Sequence, residues 1–221
     1  MPSNRIIVDK STPVQDVHAL AVDPLMTLDI SSLDFSQLPS HVSASLYTDA
    51  QALDLGSIQA VGDIYADRAD TITARTLLTA GNVYATRATA LDLRALTSIG
   101  NAYLWNANVV DLPQLRAAAN IRADRANLFS APCLQSVGDI YVTNAEVLEL
   151  PALETAGNIL AANITHFSAP KLRDSGVLHI MSATVLDLPQ FTGNNHIYAP
   201  RATLNTLRIG RLAMSQSALA R

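Results

Sequence analysis

Charge is what this chain of 221 residues has least of: 15% of it is Asp, Glu, Lys or Arg, against about a quarter in an average globular chain. Lysine is almost absent and the net charge is −4. A protein that grips a phosphate backbone needs clustered Lys and Arg, so no nucleic-acid partner is expected. Cys133 stands alone, which excludes an internal disulfide framework and a Cys-rich metal site. It reads as a small, semi-apolar residue at a corner. The histidines do not recur in register, and neither G-x-G-x-x-G nor a P-loop pattern occurs, so neither metal nor cofactor is expected. The first residues, MPSNRIIVDK, show no basic stretch leading into a long apolar run, and no Sec signal peptide is read there. No run approaches eighteen uninterrupted apolar residues, so no membrane span is expected. The expected location is cytoplasmic, or outside by a route without such a signal.

What is present is a repeat. Gly62, Gly81, Gly100, Gly138, Gly157 and Gly176 stand 19 residues apart, or twice 19 across Ala119. Seven places after each opening residue comes Ala69, Ala88, Ala107, Ala126, Ala145, Ile164 and Ala183. With the glycine as position one, apolar residues recur at three, five, eight, eleven, thirteen, sixteen and nineteen. In 81–99 these are Val83, Ala85, Ala88, Leu91, Leu93, Leu96 and Ile99. Steps of two mark strands, and steps of three mark corners where two residues face outward. No helical face accommodates this pattern. The spacing predicts an all-β fold, a parallel β-solenoid (β-helix) of 19-residue coils with strands at positions two to six and ten to fourteen. The usual sense of parallel crossovers makes it right-handed. Pro113, Pro132, Pro151, Pro170 and Pro189, all at position fourteen, suit strand ends. The opening glycine suits a bend at positive φ or a close backbone approach.

Residues 1–22 fall outside the repeat and are expected to form a short N-terminal cap. RIIV at 5–8 reads as a strand. Thr12-Pro13-Val14-Gln15 reads as a helix start with Thr12 as N-cap, and Val14, Val17, Leu20 and Ala21 as one apolar face. The solenoid is expected over 23–207, with Leu25 in the apolar register, Val42 as a one-residue insertion, Tyr47 among the inward residues, and a decayed last unit at 195–207. Residues 208–221 read as a tail or second cap.

The phrases LDLPQL, LELPALETAGNI and FSAPKLRDSGVL resemble the L-P-x-L-x-x-x-G-x-I repeats of bacterial leucine-rich-like β-solenoids, similar in turn to receptor L-domain repeats. The resemblance covers about residues 43–194 and implies adhesion, recognition or structural roles. GDIYADRADTITA and GNVYATRATALDL are similar to bactofilins, which implies a cytoskeletal β-helix that polymerises end to end.

Position four faces outward and carries Tyr65, Tyr84, Tyr103, Arg122 and Tyr141, with Trp105 two places beyond Tyr103. Asn and Asp at position two flank them. Such a row suits a sugar or a protein loop, since rings supply area at low entropy cost and amides supply paired donors and acceptors. The same row would equally stabilise a stack rung against rung. Two carboxylates of a glycosidase stand about 5 to 9.5 Å apart, and only Asp92 and Asp111, on neighbouring rungs, approach that arrangement. They have no evident partner in sequence to split their pKa values. Arg68, Arg87, Arg125 and Arg201 at position seven are expected to pair with Asp67, Asp70 and Asp124. The expected function is a non-enzymatic recognition or adhesion module for a protein or glycan, binding through the Tyr/Trp/Asn face. The alternatives are a self-assembling scaffold and, third, a carbohydrate-active enzyme. The chain is expected as a monomer or an end-to-end homo-oligomer.

Overall fold

Successive units pair in parallel at a step of nineteen: Ile64 with Val83, Val83 with Ala102, Ala102 with Ile121, and Ile121 with Ile140. The computed structural model describes residues 5–33, 35–192, 197–199 and 206–209, so the histidine at 196, the arginine at 201 and most of the 208–221 tail lie outside the described residues. The coils form a parallel β-solenoid with one 15-stranded sheet and, across the core, sheets of three and six strands in one column. Among the described residues no helix is long and apolar enough to cross a membrane.

The core is the set the spacing predicted, except that Leu91 and the alanines at position nineteen are only partly buried. Ile64, Ala66, Ala69, Ile72, Ala74 and Leu77 are buried in one coil, and Ile140, Val142, Ala145, Leu148, Leu150 and Leu153 in another. Each buried Val, Leu or Ile contributes about 1.5–3 kcal/mol. Prolines at position fourteen sit second in tight turns, as in the 3.1 Å bond from Leu115 N–H to Leu112 O around Pro113, where a fixed φ is an advantage.

The glycine column corrects an expectation. These glycines make no positive-φ bend; among the described glycines only Gly56 has one (φ 50). Strands Ser98–Tyr103 and Ser136–Thr143 run straight through Gly100 and Gly138. Pairing thus extends to a third segment of the coil, positions eighteen and nineteen. Close approach is what glycine provides. A Cβ on Gly62 would lie 2.7 Å from Ser43 O, and one on Gly100 would lie 2.9 Å from Asn82 Oδ1.

The room so made is filled by a side-chain ladder. Asp63 Oδ1 accepts the backbone N–H of Asn82 at 2.7 Å and its Nδ2 at 3.1 Å. Asn82 does the same for Asn101, and Asn120, Asp139 and Asn158 carry the ladder upward to Val177 N–H.

At the N-terminal end, strand β1 (Arg5–Asp9) pairs with β2 (Thr27–Ser32). Helix α1 (Val14–Ala21) covers the open core with Val17 and Ala21. Pro13, not Thr12, is the N-cap, because Thr12 Oγ1 accepts the N–H of Asp9 instead. Val14 and Leu25 are exposed rather than inward, Leu25 at 81%. Val42 is no insertion: it is buried and pairs with Val61 at position nineteen. The extra residue lies in Ser43–Ser45, a bulge where Gly62 N–H faces both Val42 O and Ala44 O. The same coil is one residue short between Leu46 and Ala52, since Leu46 pairs with Ile64 but Ala52 with Thr71.

Candidate functional site

The extra residue in Ser43–Ser45 turns Tyr47 outward beneath Tyr65, correcting its expected inward place and adding a member to the aromatic row. The bulge in Ser43–Ser45, a polar run without the repeat's glycine, is the only sequence signal for it. Tyr65, Tyr84 and Tyr103 then stack face to face, with centroids 4.9 and 5.0 Å apart and planes within 4° and 13°. Arg122 continues the column in register, then Tyr141. Trp105 is 40% exposed, with the Arg122 guanidinium 5.0 Å from its ring centroid. All six predicted residues therefore share one face, in two groups: a tyrosine stack, and an Arg122–Trp105 pair with Tyr141 beyond it. Farther along, Leu160 and His179 replace tyrosine, and His179 meets Tyr198 edge-on at 4.7 Å.

Electrostatics along the face follow from the aspartates. Tyr65 donates to Asp63 Oδ2 at 3.2 Å and Tyr141 to Asp139 Oδ2 at 3.1 Å. Burial, then the Asp63 charge, pushes the Tyr65 phenol up to about 12. Burial raises Tyr84 too, and the hydrogen bond to Asp139 raises Tyr141. The amides expected as free donors and acceptors beside the rings engage one another in the ladder instead.

The stack starts at Tyr65. The Tyr47 ring is covered by the Arg5 guanidinium at 4.0 Å, its hydroxyl donates to Asp49, and a cavity opens at this break. Its volume is about 450 Å³, and Tyr47, Thr48, Asp49, Tyr65, Asp67, Arg68 and Tyr84 line it. Arg68 pairs with Asp49 at 3.7 Å, not with Asp67 as expected. Arg87 does reach Asp70, at 3.9 Å, while Asp124 takes Arg122 at 2.7 Å.

No family model, curated protein or solved structure matches this chain.

The carboxylate pair at the opposite corner is not as the sequence suggested. Asp92 has two basic neighbours, Arg94 at 2.7 Å and Arg75 at 2.7 Å. The Arg94 hydrogen bond foremost holds its carboxyl below the usual range. Such a group stays ionised and is unsuited to donate a proton as a general acid.

Proposed function

We propose that this solenoid is a non-enzymatic recognition module that binds a protein or glycan partner along the face carrying Tyr65, Tyr84, Tyr103, Trp105, Arg122 and Tyr141. The observation that supports it most is the cavity at the break in the tyrosine stack. Where rings lie face to face they stabilise rung on rung; where the column is interrupted, aromatic walls and carboxylates open to solvent. Trp105 adds a large exposed ring beyond the stack, and exposed aromatic area of this kind favours contact. This reading agrees with the leucine-rich-like resemblance of the repeats. The test pairs a glycan and protein binding screen with the double variant Tyr103→Ala, Trp105→Ala. Lost binding at a melting temperature within a few degrees of the parent is expected; a large fall in melting temperature with binding intact would make the row a ladder alone.

A second reading has its own observation. β1 is the end strand of the large sheet, with Ile7 70% exposed, and a free apolar edge invites another strand. An end-to-end scaffold, as the bactofilin likeness implies, would use it. Light scattering across a wide concentration range separates the two: a constant mass supports recognition, filaments that lengthen with concentration support the scaffold.

A further inference from the structure

Two contacts on the outward face share one form. Arg5 lies over the Tyr47 ring and bridges Asp29 at 3.1 Å. Arg122 lies over the Trp105 ring and bridges Asp124 at 2.7 Å. Each guanidinium is held between an aromatic ring and a carboxylate, the arrangement a planar, weakly hydrated cation favours. The cavity between Tyr47 and Tyr84 has the same two components and space in place of the cation. Tyr65 supplies the ring face turned away from Tyr84, and Asp49 and Asp67 supply charge. Asp67 uses Oδ1 to accept from the Thr86 hydroxyl and N–H. Arg68 is mostly exposed and only 3.7 Å from Asp49, an exposed pair of little strength that a better-seated cation displaces.

We propose that this cavity receives an arginine side chain from a basic segment of a protein partner. The inference rests on the recognition reading and narrows it to a cation held by ring and carboxylate together. A chain of net charge −4 attracts such a segment at long range, and the rings then discriminate arginine from lysine.

The experiment uses the whole chain and two labelled peptides, alternating Gly-Arg and alternating Gly-Lys, read by fluorescence anisotropy. The arginine peptide is expected to bind about fivefold or more tighter than the lysine peptide at ~0.15 M salt. Asp67→Asn retains an oxygen for Thr86, so the fold is kept. It is expected to weaken the arginine peptide about tenfold. Glu146→Gln with Glu149→Gln, on the other sheet column, removes two charges and is expected to change affinity less than about twofold. Equal binding of both peptides, or equal loss in the remote double variant, would reduce the effect to general attraction and overturn the inference. A glycan or neutral peptide whose binding depends on Tyr103 and Trp105 and ignores Asp67→Asn would also overturn it, while leaving recognition intact. Absence of any ligand in either screen would sink both.

Discussion

The two halves of the rod repeat the same nineteen residues and turn the same corner differently. Between positions five and eight the earlier coils make a tight turn, as from Ala69 N–H to Ala66 O and from Ala88 N–H to Ala85 O. The later coils turn on one left-handed residue: Asn144 (φ 65), Asn163 (φ 56) or Ser182 (φ 68). Position fourteen also changes, from Gly56, Arg75 and Arg94 to an unbroken series of prolines. The second sheet column breaks at this change. Strand Ala90–Asp92 ends the three-stranded sheet and Val109–Asp111 begins the six-stranded one. A solenoid therefore tolerates different corners as long as its inward set holds, since each coil contacts only its neighbours.

The comparison breaks most visibly in the core. Phe167 is fully buried at position eleven, whereas Leu91, at the same position beside the break, is only partly buried. Phe167→Ala is expected to cost about 3–5 kcal/mol and Leu91→Ala under ~2 kcal/mol, read by urea unfolding. Similar losses at both would mean that the break is not a weak point.

The corners supply the next test. Asn163→Ala keeps the left-handed backbone but removes the short polar side chain that makes it tolerable, and should cost about 1–2 kcal/mol. Its hydrogen bond to Asn144 at 2.8 Å goes as well. Arg87→Ala in an earlier corner should stay within ~0.5 kcal/mol. Equal effects would erase the distinction between the two turns.

Alkaline titration tests the first ring of the tyrosine stack. Tyr65 ionises at about 12 in the folded chain, above the ordinary phenol near 10. The folded state therefore holds a proton that the unfolded state loses, and stability falls as pH rises from about 10 to 12. Tyr65→Phe should flatten that part of the curve, and a curve unchanged by the substitution would count against the buried phenol.

The smallest effect belongs to Asp92. Its folded pKa is depressed, so its contribution is complete above the unfolded value near 3.9 and lost as pH falls below it. Asp92→Asn should cost about 0.2–1 kcal/mol at neutral pH and nothing in strong acid. A loss that persists in acid would assign Asp92 a role other than its arginines.

The inward residues were legible because a two-three spacing has one solution: Ile72, Leu77 and Leu96 can be buried together only in a coil. The prolines were legible for the same local reason, a fixed φ after an inward residue. The glycines were half legible. Their lack of a side chain was plain, but that it serves a ladder of Asn and Asp appears only when coils are stacked. The left-handed corners were not legible: Asn144 and Asn163 adopt positive φ at position seven, Asn106 at the same position does not, and Ser182 does so without an Asn.

The candidate site divides along the same line. Tyr65, Tyr84 and Tyr103 were found on one face because nineteen residues return the chain to the same angular place. Tyr47 and Asp49 were brought to the cavity by a bulge and a compensating short turn, which leave coil length unchanged and so leave no trace in the period. The sequence by itself determined the coil, its inward set and the outward aromatic row, since these depend on alternation within one unit. Only the tertiary structure decided where the row stacks closed and where it stands open, because that depends on the offset between one coil and the next.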